Sequence, residues 1–174
     1  KLQINTTDIF LEDYKTGQGK ITISDAYMGA FTYTWGAMGS DISGFICSVN
    51  AGYFADKLSP KTYQFCPKQT AKNIRKFIRE ELNFWEFMPA QKELRKEIKK
   101  IESLSSGDEF IHFCNNIHNE VYCTELSWEE NREFEERIKG FFNCEPWNFI
   151  GETTTPAYNW LYDLHKKLKK ELAV

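Results

Sequence analysis

An α+β fold is predicted: an N-terminal three-stranded antiparallel β-meander packed against a mainly helical C-terminal two-thirds. Two patterns predict it. Between Lys20 and Trp35, apolar and polar residues alternate with period two, as half-buried antiparallel strands require. From Thr70 onward, apolar residues instead recur three and four apart, the spacing of helices with one buried stripe. With 174 residues, 41% of them hydrophobic, the chain is long enough to build a core without staples. The expectation is therefore a single domain over residues 1-174, with the meander and short helices in 1-60 and the helical part in 61-174.

The elements follow in order. Residues 1–14 hold the first strand, with Ile9 and Leu11 on one face and Phe10 on the other. Lys15-Thr16-Gly17-Gln18-Gly19 turns into the second strand, whose Ile21 and Ile23 share a face. A short link ending in Gly29 leads to the third strand, where Phe31, Tyr33 and Trp35 face together and seal the hairpin by cross-strand pairs. Gly36 to Gly39 form a corner, and Ser40 and Asp41 are natural caps for a helix carrying Ile42, Phe45, Ile46 and Val49. Asn50 is expected to end that helix, before a second apolar patch of Tyr53, Phe54 and Leu58. The corner lacks the Lys-Ser/Thr pair and the glycine spacing of phosphate-binding loops, and Asp41 would stand where the anion should sit.

In the helical part, Ile74, Phe77, Ile78, Leu82, Trp85 and Met88 make one stripe. Pro89 separates it from a helix burying Leu94, Ile98, Ile101 and Leu104, which Ser105-Ser106-Gly107 closes. Asp108 to Asn119 form a shorter helix facing inward with Phe110, Ile111, Cys114 and Ile117. Ser127 and Glu130 read as a capping box opening a helix to about Phe142, with Phe134, Ile138, Phe141 and Phe142 inside. Thr155-Pro156 start the last helix, which buries Trp160, Leu161, Leu164, Leu168 and Leu172 and leaves His165 on its surface.

Residues 22–58 contain the runs TISD, YTWGAMGS and YFADKL. This segment resembles small phage- and prophage-encoded proteins of unknown function that share a TISD strand, an aromatic YxWG(A/S)MGS strand and a YFAxKL helix. The resemblance covers about forty residues and brings no catalytic residues with it. It implies an origin in a mobile element, where inhibitors of host defence are common.

Charge is the strongest pointer to partners. The net value is only -3, yet residues 106–155 hold eleven acids against three bases, and residues 61–105 eleven bases against six acids. The leading expectation is a non-enzymatic binding protein that inhibits a host nucleic-acid-handling defence system, a restriction or CRISPR effector. Glu129, Glu130, Glu133, Glu135 and Glu136 would form an acidic helical surface that meets a basic groove. The alternative is a nucleic-acid-binding accessory protein using the helix stripe Lys72, Arg75, Lys76 and Arg79. A third reading is a small metal-dependent enzyme: Cys114 and His118, four apart, share a helix face and are the weak metal candidates.

No nucleophile motif accompanies the three histidines, so no catalytic residue and no cofactor are assigned. The odd count of five cysteines without a C-x-x-C, and the absence of a signal peptide, long apolar run or lipidation motif, suggest the reducing cytoplasm of a bacterial host and no membrane partner. Aromatic residues make up 16% of the chain, enough for either a ring-rich core or an exposed binding face. No internal repeat, linker or low-complexity tract is evident.

Overall fold

The computed structural model describes residues 1–81, 88–143 and 145–173. Leu82 and Trp85 of the stripe above, and Cys144, lie outside the described residues, and of Met88 only the backbone is described. Two compact units divide the chain: Lys1–Gln64 with Thr154–Val174, and Phe65–Thr153.

The first unit opens with four strands: β1 (Leu2–Ile4), β2 (Thr7–Lys15), β3 (Gln18–Asp25) and β4 (Gly29–Trp35). They lie in sequence order as an antiparallel sheet, so the expected three-stranded meander is corrected to four strands. The extra strand arises because residues 1–14 do not run straight. Asn5 takes a left-handed φ of 54°, a conformation that asparagine tolerates better than most residues, and folds Leu2 back opposite Ile9. Ile9, Ile23 and Phe31 stand in register across the three longer strands.

Their apolar face is covered by α1 (Ile42–Ser48), α2 (Ala51–Leu58) and α7 (Pro156–Leu172). Ile42 and Ile46, then Phe54, Ala55 and Leu58, then Leu161, Leu164 and Leu168 complete a core with Ile21, Ile23, Phe31 and Trp35. Each of these helices starts on a side-chain cap: Asp41 accepts from Gly44 N, Asn50 from Tyr53 N, and Thr155 from Tyr158 N. Asn50 therefore begins α2 instead of ending α1, which Val49 terminates.

His165 also differs from expectation. It is only 1% exposed, packs on the Phe54 ring at 4.8 Å and lies with Nε2 3.0 Å from the Ile46 carbonyl oxygen. Since that oxygen can only accept, Nε2 carries the proton. Burial pushes the imidazole pKa below its usual 6.5.

The second unit is helical: α3 (Pro67–Glu81), α4 (Met88–Lys100), α5 (Gly107–Glu120) and α6 (Trp128–Asn143). Ile74 of α3, Leu94 and Ile98 of α4, Phe110, Cys114 and Ile117 of α5, and Phe134, Ile138 and Phe142 of α6 share one core. Ser106 does not close α4, which ends at Lys100 in a short 3₁₀ turn. Instead it caps α5, accepting from Glu109 N, while the Glu109 carboxylate accepts from the Ser105 backbone N–H and hydroxyl. Two short strands, β5 (Tyr63–Phe65) and β6 (Glu152–Thr154), pair with each other. Among the described residues, no helix is long and apolar enough to cross a membrane.

Candidate interaction surfaces

The motif residues of the first unit turn out to hold backbone in place. Asp25, the last residue of TISD, accepts from the Thr6 and Thr7 hydroxyls at 3.1 and 2.7 Å. It also accepts from the Tyr27 and Met28 backbone N–H groups, each at 2.9 Å. One carboxylate thus ties the β1–β2 turn to the β3–β4 turn. These donors, the Thr7 hydroxyl foremost, hold its pKa near 2 instead of 3.8. Asp25 borders a cavity of about 260 Å3, but a carboxylate already accepting four hydrogen bonds is a poor base.

In YTWGAMGS, Trp35 and Met38 are buried, and Met38 N donates to the Gly17 carbonyl at 2.8 Å. Gly39, with φ of 76°, makes the bend that no β-carbon would favour. In YFADKL, the Tyr53 hydroxyl accepts from Trp35 Nε1 at 3.2 Å, and Lys57 lies over the Tyr33 and Tyr53 rings. These runs build the sheet–helix unit.

The second unit places its polar residues differently. At the head of α6, the sequence Ser127-Trp128-Glu129-Glu130 forms the expected capping box: Ser127 Oγ accepts from Glu130 N, and Glu130 accepts from Ser127 N at 2.7 Å. Those bonds lower the Glu130 pKa. Buried Asn131 fixes the preceding loop, its amide oxygen accepting from Cys123 N and its amide nitrogen donating to the carbonyls of Cys123, Leu126 and Ser127. With Phe134, Ile138 and Phe142 turned inward, Glu129, Glu133 and Glu136 fall at i, i+4 and i+7 on the outward ridge, all exposed.

The five predicted glutamates are therefore only partly brought together. Glu130 is engaged in the cap, and Glu135 lies half-buried on the opposite flank. Cations interrupt the surface as well: Arg137 pairs with Glu133 at 2.6 Å, and Arg132 lies over the Trp128 ring. Two exposed aromatic residues that sequence reasoning missed are Trp128, which opens α6, and Tyr122, in the chain before it. Trp128 is 64% exposed and Tyr122 63% exposed. The signal for Trp128 was present, since its position lies off the Phe134–Ile138–Phe142 stripe by helical angle.

The stripe Lys72, Arg75, Lys76 and Arg79 is realised as one face of α3, at i, i+3, i+4 and i+7 and opposite buried Thr70 and Ile74. Arg75 pairs with Glu102 at 2.6 Å and Lys76 with Glu80 at 4.0 Å. Lys72 and Arg79 make no ion pair among the described residues.

Cys114 and His118 do share a face of α5, but the environment opposes metal binding by the pair. Cys114 is fully buried, and desolvation pushes its thiol up to about 12, far from the thiolate a metal needs. His118 keeps Nδ1 buried without a partner. Among the described residues, no three His, Cys, Asp or Glu side chains group as a metal site. Two open grooves of about 620 Å3 each mark the unit. One is lined by Leu104, Phe113 and Ile117 together with Glu97, Asp108 and Glu120. The other is lined by Phe77, Phe141 and Phe149, whose rings pack together at 4.5 to 5.6 Å. Part of the aromatic excess is thus half-buried packing.

The model of a phage family, Phage_phiTE_072, matches residues 1–174. No curated protein and no solved structure matches the chain.

Proposed function

Because the chain belongs to a phage family, we propose that it is a non-catalytic phage binding protein that inhibits a host nucleic-acid-handling defence complex, a restriction or CRISPR effector, by occupying a basic groove. The observation that carries this reading is the α6 face. Exposed Glu129, Glu133 and Glu136 share one ridge, with the largely exposed Trp128 at its head. A large exposed aromatic ring beside charge is the composition of a binding anchor, since rings supply most of the contact energy and carboxylates steer approach. Affinity capture from host lysate tests it, with wild-type protein and the variant Glu129→Gln/Glu133→Gln/Glu136→Gln as baits. The reading expects a nucleic-acid-handling complex on the wild-type bait that elutes as salt rises and is lost on the variant. Equal capture by both baits would remove α6 from the interface.

A second reading has specific support in the alignment of Lys72, Arg75, Lys76 and Arg79 on one face of α3. On that reading the protein binds nucleic acid directly. A gel-shift panel with duplex and single-stranded probes separates the two, because the inhibitor reading requires no such complex.

A further inference from the structure

The cationic face of α3 has a counterpart on α4. Residues 72–79 read Lys-Asn-Ile-Arg-Lys-Phe-Ile-Arg, and residues 92–99 read Lys-Glu-Leu-Arg-Lys-Glu-Ile-Lys. Cations stand at the same four places in both, at i, i+3, i+4 and i+7. Inward-facing residues also match: Ile74 with Leu94, and Ile78 with Ile98. Lys92, Arg95, Lys96 and Lys99 are all exposed, so α4 repeats the α3 stripe on its own outer side. The acids of α4 lie off this stripe: Glu93 and Glu97, each half-buried, pair with Lys96 and Lys100 at 2.6 Å.

The two helices pack against each other and against the turn at residues 101–103. Arg75 reaches Glu102 in that turn, which puts the middle of the α3 stripe beside the C-terminal end of α4. Among the described residues, Lys72, Arg79, Lys92, Arg95 and Lys99 make no ion pair. An isolated basic stripe is ordinary for a solvated helix. Here two helices in contact each carry four cations in the same register, eight in all. Each stripe runs about 10 Å at 1.5 Å per residue. Over that length, duplex nucleic acid carries on the order of six phosphate charges.

We propose that α3 and α4 together form a binding surface for the phosphate backbone of duplex nucleic acid, without base readout. This rests on the second reading above and extends it from one helix to two. Contacts of this kind give affinity that falls steeply with salt and depends little on sequence.

The test uses the full chain and a fluorescein-labelled 24-base-pair duplex, as DNA and as RNA, with polarisation read from 50 to 200 mM KCl. Binding is expected for two unrelated sequences alike. For about five phosphates neutralised, the log–log salt slope should be near -4.5. The paired variants Lys72→Gln/Arg79→Gln on α3 and Lys92→Gln/Lys99→Gln on α4 change only exposed side chains, and thermal melts confirm that they fold. Each pair should lower affinity at least about fivefold and flatten the slope by about 1.8, at roughly 0.9 per lost phosphate contact. The DNA and RNA arms show which duplex is preferred, and binding to either supports the surface.

If the α3 pair weakens binding and the α4 pair does not, the two-helix surface is wrong while the one-helix reading stands. No binding to either duplex at 50 mM KCl overturns both. Anionic phospholipid vesicles that bind without displacing duplex leave the surface intact, whereas binding to vesicles alone overturns it.

Discussion

The two compact units use their polar residues in different ways. In the first, Asp25, Asp41, Asn50, Thr155 and His165 all hold backbone N–H or carbonyl groups. In the second, Thr70, Ser106, Ser127 and Asn131 play that part and Glu109 and Glu130 join the caps, while much of the remaining charge is displayed on helix surfaces. The TISD, YTWGAMGS and YFADKL runs thus serve the fold, and the charged faces proposed to bind lie on helices of the second unit. Within the second unit the contrast repeats. The cations of α3 and α4 keep one strict register, whereas the glutamates of α6 alternate with Arg132, Arg137 and Lys139.

The largest expected effect breaks the positioning of α6. Asn131→Ala leaves the buried N–H of Cys123 without its partner and removes the amide that the carbonyls of Cys123, Leu126 and Ser127 share, and should cost about 2–4 kcal/mol of stability. Chemical denaturation measures this, and the α6 ridge should lose its partner along with its position.

Acidification probes the first unit, which holds both Asp25 and His165, at intermediate strength. Burial lowers the His165 pKa, so the folded imidazole stays neutral while the unfolded chain takes up a proton. Its contribution is complete above pH 6.5 and declines as the pH falls below that value. Asp25, held near 2, contributes fully above its usual 3.8 and loses that contribution as pH drops toward 2. Stability should fall in two steps, and His165→Gln should remove the upper one in melts recorded between pH 7.5 and 5. A profile unchanged by that substitution would mean that another group titrates there.

The smallest effect concerns exposed ion pairs. Glu133→Gln, which breaks the pair with Arg137, should shift stability by less than about 0.5 kcal/mol. Any change in partner capture by that variant would then report binding and not folding.

Much of this was legible in the sequence. Period-two alternation located the three longer strands, and capping chemistry located the starts of α6 and α7, because both signals are local. What failed depended on single residues in unusual roles. Asn5 made a turn without glycine or proline, so β1 was merged into β2. His165 shares the face of Leu161 and Leu168, and its periodicity pointed inward while its polarity pointed outward. Burial prevailed because the Ile46 carbonyl supplied a partner. The α4 stripe was hidden because Glu93 and Glu97 dilute the linear charge, and only the helical angle separates them from the lysines. The arginines among the α6 glutamates stand in the linear sequence itself, and the helical angle shows which glutamates share one ridge.

Retention on two columns tests most directly whether the second unit carries two separable charged faces: immobilised heparin as a polyanion and immobilised polylysine as a polycation. The account predicts that Lys72→Gln/Arg79→Gln with Lys92→Gln/Lys99→Gln elutes from heparin at much lower salt but from polylysine no earlier than wild type. Glu129→Gln/Glu133→Gln/Glu136→Gln should do the reverse. If each set of substitutions leaves both elution positions where they were, neither face binds as described and the account is contradicted.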